Sequence, residues 1–304
     1  MFTKLKELNF DPTIIALTRH KNIYFLKKYV KLKEINLTYI ELKRNDYDIL
    51  MVNSDQTWVN VTPNYLPDYG FLKFAENWTI PKFVYGASYP LNLWRYSKEF
   101  NIEMGNLLKK FNGISVRELP TINLSKINFG IIPEFVLDPT LLINKRYYLN
   151  LIKYYKGDFK ENLDYLCVYQ LDKNNKIKNF IYQSSLKLNL TIHKVDINRD
   201  FYIEDFLKCI NISKGVITDS YHGTIFSIIF NKPFISFINN KRGNTRFHTL
   251  KNIFNIKNRI ISTKSDISEK YNLLKTKLNI NISFVDQLKN KSINFLKKNL
   301  FTFN

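Results

Sequence analysis

Short apolar runs that end in small or polar residues recur along the chain, separated by segments long enough to form helices. Each run has the length and composition of a strand buried on both faces of a parallel sheet. The runs lie at 48–52, 82–88, 113–118, 135–140, 165–169, 190–195, 215–218 and 233–237. Strands alternating with helices predict open α/β sheets, whose ligands bind beyond the carboxyl ends of the strands.

Apolar residues at helical spacing predict helices between these runs. The predicted helices cover 24–37, 176–188, 203–212 and 223–230, with a lysine-rich amphipathic helix at 283–300. A chain of 304 residues exceeds the size at which one core stops growing, so two domains are expected. We place the N-terminal domain at 1–144 and the C-terminal domain at 145–304, with the tail helix packing back across one domain.

The chain is strongly basic, with 46 Lys and Arg against 26 Asp and Glu and a net charge of +20. The lysines are scattered through almost every segment and form neither a basic arm nor a nucleic-acid-binding motif, so no nucleic-acid partner is predicted. Two interpretations stay open. The excess reflects a compositional habit on solvated faces, or it attracts an anionic membrane surface or a phosphorylated acceptor.

Several other classes are excluded by the sequence. Cys167 and Cys209 are the only cysteines, and they form neither a disulfide framework nor a zinc-binding pattern with the four histidines. The segment from Met1 to Phe10 lacks the uninterrupted apolar core expected of a secretion signal, and no apolar stretch is long enough to span a bilayer. A cytoplasmic protein without a metal is expected, with peripheral association at the inner face of the membrane as an option.

The most informative stretch runs from the strand at 215–218 into the next helix. Asp219 and Ser220 follow the strand, and His222, Gly223 and Thr224 begin the helix. Unpaired N–H groups at a helix N-terminus attract anions, and glycine permits close approach to the backbone. Phosphate is the natural ligand for such a site. The alternative is that Asp219 or Ser220 only caps the helix.

Arginines supply the second set of candidates for anion binding. Arg242 and Arg246 flank Gly243 in a loop after the strand at 233–237, beside the predicted His222 helix, where they could hold a carboxylate or phosphate. Arg117 ends the strand at 113–118, and a salt bridge to Glu118 is the alternative role for it.

A third set of candidates follows the strand at 48–52. Asp55 and Gln56 could bind sugar hydroxyls, and Asp55 could act as a base. Trp58 is predicted to fill the core rather than to stack on a sugar ring.

Taken in order, six segments resemble the signature blocks of the polysaccharide pyruvyl transferase family. They are 53–58 (NSDQTW), 85–88 (YGAS), 114–118 (ISVRE), 136–140 (VLDPT), 218–224 (TDSYHGT) and 242–247 (RGNTRF). The similarity runs from about Phe25 to the tail. It implies two Rossmann-like domains facing across a cleft, as in B-type glycosyltransferases. Nothing before Tyr24 matches the strand and glycine-containing turn with which family members begin, so the first domain is expected to lack its initial strand–helix unit.

The resemblance also implies an activity. The enolpyruvyl group of phosphoenolpyruvate would be transferred to a sugar of a cell-surface polysaccharide, or of its lipid-linked precursor, to form a pyruvate ketal. Phosphoenolpyruvate is the donor substrate, and no cofactor is implied. The predicted roles are catalytic for His222, Asp55 and Asp219, which would orient His222, and substrate-binding for Arg117, Ser220, Gly223, Thr224, Arg242, Arg246 and Gln56. The alternatives are a glycosyltransferase that uses a nucleotide sugar and a truncated, non-catalytic relative.

Overall fold

The computed structural model describes most of the chain from residue 42 onward. The described residues are 42–59, 67–91, 94–155, 157, 159, 163–195, 202–238 and 243–301, together with the backbone of 13–16 and 31–34. Among them, no helix combines the length and the apolar character that crossing a membrane would require.

Two parallel strands precede residue 42. Strand β1 covers Thr13–Ala16 and pairs with β2, Lys31–Glu34. From the resemblance, the first domain is expected to lack its initial strand–helix unit, and the sequence predicts a helix over 24–37. The helix prediction is wrong at β2, and the rest of that range lies outside the described residues. A strand pair therefore precedes the first large sheet, and neither strand joins that sheet.

The first large sheet has four parallel strands in the order β3-β4-β5-β6. Its strands are β3 Leu50–Val52, β4 Lys82–Ala87, β5 Gly113–Val116 and β6 Glu134–Phe135, and its helices are α1 Lys98–Leu108, α2 Leu119–Phe129 and α3 Pro139–Leu142. Short 3₁₀ helices lie at Arg44–Asp46, Pro67–Phe71 and Lys73–Ala75. Trp58 is fully buried here, stacks on Phe71 and donates from Nε1 to the Gly70 carbonyl, so its predicted core role is confirmed.

The second large sheet has five parallel strands in the order β11-β10-β9-β7-β8. Its strands are β7 Tyr165–Tyr169, β8 Thr191–Lys194, β9 Gly215–Thr218, β10 Phe234–Phe237 and β11 Ile260–Ile261. The accompanying helices are α4 Lys145–Ile152, α5 Asn175–Leu188, α6 Ile203–Ile212, α7 Tyr221–Ile229 and α8 Thr245–Phe254, with a 3₁₀ helix at Lys270–Lys275. The central strands β7, β9 and β10 are buried, which explains their continuous apolar sequences.

The two sheets belong to two compact units that are each discontinuous in sequence. The second sheet lies in the unit formed by the described parts of Met1–Glu34, Ile143–Asn240 and Leu250–Ile280. The first sheet lies in the unit formed by those of Ile35–Leu142, Lys241–Thr249 and Asn281–Asn304. The sequence-based division at 144 and 145 treats each domain as one continuous stretch of chain. It therefore does not assign the described parts of Met1–Glu34 to the unit of the second sheet, or those of Lys241–Thr249 and Asn281–Asn304 to the unit of the first sheet. The facing of two domains across a cleft stays a prediction.

The last described helix, α9 at Ile282–Phe301, packs on the first sheet. Phe295 contacts Phe83 of β4 ring to ring, and Ser292 Oγ accepts a hydrogen bond of 2.9 Å from the Leu137 N–H. Gly113 leaves room for Asn299, since a Cβ there would lie 2.6 Å from Asn299 Cγ. The predicted tail helix therefore completes the core of the first sheet.

Candidate functional site

The junction of β9 and α7 presents His222 on the first turn of a helix. Ser220 is the N-cap, and its Oγ accepts a hydrogen bond of 3.3 Å from the Gly223 N–H. Thr218 Oγ1 accepts from the Ser220 N–H at 3.0 Å and donates to the Tyr169 carbonyl of the adjacent strand at 2.6 Å. The turn is thus fixed to the sheet. His222 itself is partly exposed, and its ring packs edge-on against Tyr221.

Three residues predicted to contact substrate here make structural contacts within the protein, and their contact with substrate stays a prediction. Ser220 is buried and caps the helix, which is the alternative role that the sequence left open. Thr224 is fully buried and its hydroxyl bonds to the Ser220 carbonyl at 2.9 Å and to Ser236 Oγ at 2.7 Å. At Gly223 a Cβ would collide with Thr218 Oγ1 and lie 3.1 Å from Thr218 Cβ. The glycine therefore permits close packing of helix on strand, and the approach of an anion to its backbone stays a prediction.

Asp219 ties this junction to the loop that follows β7. Its Oδ1 accepts from the Leu171 N–H at 2.6 Å and its Oδ2 from the Asp172 N–H at 3.1 Å. Burial raises the pKa of Asp219 above its ordinary value, although these two hydrogen bonds lower it. Both carboxylate oxygens thus hold the Leu171–Asp172 backbone at the edge of the sheet beside α7. An effect of Asp219 on the orientation of His222 stays a prediction.

In the first sheet the corresponding edge carries Asp55. Its backbone has a φ of 88°, in the left-handed region that non-glycine residues rarely adopt. Hydrogen bonds to the Asp55 carbonyl from the Thr57 N–H at 2.7 Å and the Ser88 N–H at 3.1 Å hold this conformation. The Asp55 side chain is 62% exposed, and Gln56 beside it is half-buried. Surrounding structure therefore imposes an unfavourable backbone on an exposed carboxylate.

Arg117 lies behind Asp55 and contacts three carboxylates. Its Nη2 lies 2.8 Å from Asp55 Oδ1, its Nη1 lies 2.6 Å from Asp138 Oδ2 and its Nε lies 3.4 Å from Glu118 Oε1. The side chains of Arg117, Asp138 and Glu118 are at most 1% exposed. The salt bridge to Glu118 that the sequence offered as an alternative is present, and it is part of a larger buried network.

Glu118 accepts further hydrogen bonds within this network. Ser88 Oγ donates to Glu118 Oε1 at 2.5 Å, and the Tyr89 N–H lies 3.3 Å from Oε2. Burial raises the pKa of Glu118 above its ordinary value, while the positive charges of Arg117 and Arg246 and the Ser88 hydrogen bond lower it. Arg246 belongs to the same compact unit as Glu118.

The segment that carries Arg246 differs from its prediction as a loop of the second sheet. Arg246 is buried in the first turn of α8, and this part of the helix belongs to the unit of the first sheet. Thr249 Oγ1 accepts from the Leu119 N–H at 3.2 Å, and Gly243, with a φ of 90°, packs directly against Pro90. Arg242 lies outside the described residues.

Ser88, Glu118 and Asp138 also contribute to the site, and the sequence does not predict these contributions. Each lies within a segment already singled out, directly after a buried strand, and that position was the available signal. Within the described residues no group of three or more His, Cys, Asp or Glu side chains is arranged to hold a metal ion.

Comparisons with known proteins identify the family. A functionally uncharacterized protein of Klebsiella pneumoniae is similar in structure, with a TM-score of 0.44 and 15% identity over 85% of this chain and 96% of that one. A comparison with curated proteins found no match. The family model described as polysaccharide pyruvyl transferase matches residues 1–241. With the signature segments at the carboxyl ends of parallel strands and this match over most of its length, the chain belongs to the polysaccharide pyruvyl transferase family.

Proposed function

We propose that this protein transfers the enolpyruvyl group of phosphoenolpyruvate to two hydroxyl groups of one sugar and forms a pyruvate ketal. The observation that carries the proposal is the family match over residues 1–241, which includes Asp55, Arg117 and His222. It is supported by the position of these residues at carboxyl-terminal edges of parallel sheets, where open α/β folds bind their ligands.

The chemistry requires an acid and a base. The methylene carbon of phosphoenolpyruvate takes a proton, which makes C2 electrophilic, and one sugar hydroxyl bonds to C2 as it loses its proton. The second hydroxyl then bonds to C2, the C2–O bond to phosphate breaks, and inorganic phosphate leaves with the second proton. One donor and one diol thus give one ketal and one phosphate, with no oxidation or reduction.

His222 is the proposed acid or phosphate ligand. It is partly exposed on the first turn of α7, where the helix N-terminus favours negative charge, and imidazole transfers protons near neutral pH. Arg242 and Arg246 are proposed to bind the phosphate or carboxylate of the anionic donor. Asp55 is the proposed base, since its carboxylate is exposed and fixed at a strand edge.

The acceptor is proposed to be a sugar of a cell-surface polysaccharide or of its lipid-linked precursor, in the cytoplasm. The net charge of +20 would attract anionic lipid and lipid-linked phosphate at the membrane face. Binding to anionic vesicles that weakens with added salt would support this placement, and equal binding to neutral vesicles would contradict it.

The test is a phosphate-release assay with purified protein. Phosphoenolpyruvate and a panel of diol-containing saccharides should give phosphate in proportion to ketal, and His222→Ala should abolish turnover. His193→Gln is the matched control, because His193 lies on β8, stacks on Phe159 and is outside the proposed site. Tight binding of a nucleotide sugar with no binding of phosphoenolpyruvate would overturn the proposal in favour of a glycosyltransferase. Full activity of His222→Ala would remove His222 from the mechanism.

A further inference from the structure

We propose that Arg117 is a positioning residue for Asp55, which it holds ionised and oriented toward the acceptor sugar, and that it does not itself bind the anionic donor. This inference rests on the proposed function and deepens it, because it assigns the acceptor to the edge of the first sheet. It also replaces the sequence-based role of Arg117 as a ligand of substrate.

Burial is the first argument. The Arg117 side chain is 1% exposed, and so is its partner Asp138, whereas Asp55 is 62% exposed. A molecule that approaches this network from solvent therefore meets the Asp55 carboxylate before it meets the guanidinium. To bind Arg117 directly, an anion would have to displace Asp55 from a 2.8 Å ion pair.

Charge is the second argument. The Nη2, Nη1 and Nε atoms of Arg117 each lie within 3.4 Å of a carboxylate oxygen, of Asp55, Asp138 and Glu118 respectively. A phosphate or carboxylate that approached Arg117 would have to compete with these carboxylates, whereas a neutral sugar can donate hydrogen bonds from its hydroxyls to Asp55.

The backbone of Asp55 is the third argument. Its φ of 88° is maintained by hydrogen bonds from Thr57 and Ser88 to its carbonyl and by an isolated parallel bridge to Ala87. Strain of this kind persists where surrounding structure over-determines a conformation, and it is concentrated at functional sites. The ion pair with Arg117 restricts the Asp55 side chain in addition to this restricted backbone. The Asp55 carboxylate is thus held ready to take the proton that an acceptor hydroxyl loses as its oxygen bonds to C2.

The first experiment measures Asp55 without any substrate. A water-soluble carbodiimide couples an amine to protonated carboxyl groups, and the labelled fraction of Asp55 is read by peptide mass spectrometry at about pH 5 to 6, above the ordinary range of aspartate. Arg117→Lys keeps a positive charge for Glu118 and Asp138 but cannot reach all three carboxylates, so labelling of Asp55 should increase several-fold. Asp46, exposed on the same unit, is the internal control and should not change. Unchanged labelling of Asp55 would overturn the inference.

The second experiment separates donor binding from turnover. Calorimetry with phosphoenolpyruvate alone should give dissociation constants for Arg117→Lys and Asp55→Asn within about twofold of the wild type, while phosphate release with an active saccharide falls by about 100-fold or more in Asp55→Asn. Donor binding weakened more than tenfold in Arg117→Lys, or tightened tenfold in Asp55→Ala, would identify Arg117 as an anion ligand and overturn the inference. If the wild type binds no phosphoenolpyruvate, the proposed function fails, and the labelling result still decides the role of Arg117.

Discussion

Arg117 and Asp138 form an ion pair of 2.6 Å in which both side chains are 1% exposed. Removing one partner of such a pair leaves an uncompensated buried charge. We expect Arg117→Met to lower the free energy of unfolding by about 3–5 kcal/mol in urea titrations. The control is Lys73→Met, which breaks the exposed Lys73–Glu103 pair and should cost less than about 1 kcal/mol. Equal losses in the two variants would show that the buried network does not stabilise the fold.

The raised pKa of Glu118 predicts a pH-dependent effect of Glu118→Gln. Because burial raises this pKa above that of the unfolded chain, the folded protein binds more protons than the unfolded chain between the two values. The contribution of Glu118 to stability therefore falls as pH rises through this window, which begins at about pH 4.3. The difference in unfolding free energy, wild type minus Glu118→Gln, should be smaller at neutral pH than at acid pH.

Urea titrations of the wild type and of Glu118→Gln, each at acid pH and at neutral pH, measure this difference in unfolding free energy. The surface variant Glu103→Gln, measured alongside, corrects for the general effect of removing a carboxylate. A difference that grows with pH would mean that the charges of Arg117 and Arg246 outweigh burial at Glu118.

Gly223→Ala tests whether this glycine serves packing. A Cβ would collide with Thr218 Oγ1, so we expect a loss of about 1–3 kcal/mol in unfolding free energy. In the background of Thr218→Ala the Oγ1 is absent, and the added cost of Gly223→Ala should be smaller. If the losses in unfolding free energy of Gly223→Ala and Thr218→Ala simply add in the double variant, the packing role is contradicted, because substitutions of residues in contact are expected to be coupled.

Asp55→Gly and Asp55→Ala both lack the carboxylate, and they differ in how easily the substituted residue adopts the backbone conformation of Asp55. At a φ of 88° glycine is unstrained, so Asp55→Gly should be more stable than Asp55→Ala by about 1 kcal/mol. The matched control is Asp286, exposed on α9, where alanine should be more stable than glycine by a similar amount. The same order at both positions would show that the Asp55 backbone carries no strain.

The sequence predicts buried elements well where apolar runs end sharply at polar residues. The strands β7 and β9 and the helix α6 have the predicted bounds. The helices α1 and α2 were not predicted, and the apolar residues of α2 form no stripe along one face. The segment at β2 fits either a helix or a strand by pattern, and pairing with β1 decides its conformation.

The candidate site was predictable residue by residue but not in its contacts. Asp55, Arg117 and His222 follow strands as expected. Arg117 pairs with Asp138, 21 residues further along the chain, and Arg246 belongs to the unit of the first sheet although it follows the strand β10 of the second sheet. No local sequence pattern encodes such long-range relationships. Gly223 and Thr224 fit a ligand site by composition, and only the position of Thr218 and Ser236 reveals their structural roles.

The helix α9 has a consequence for biosynthesis. It is translated after the entire second sheet, yet it supplies Ser292, Phe295 and Asn299 to the core of the first sheet, whose strands are translated much earlier. While the ribosome makes residues 143–280, the face of β4 that receives Phe295 lacks its contacts with this helix. The unit of the first sheet can therefore complete its core only after the chain of the second sheet has been made.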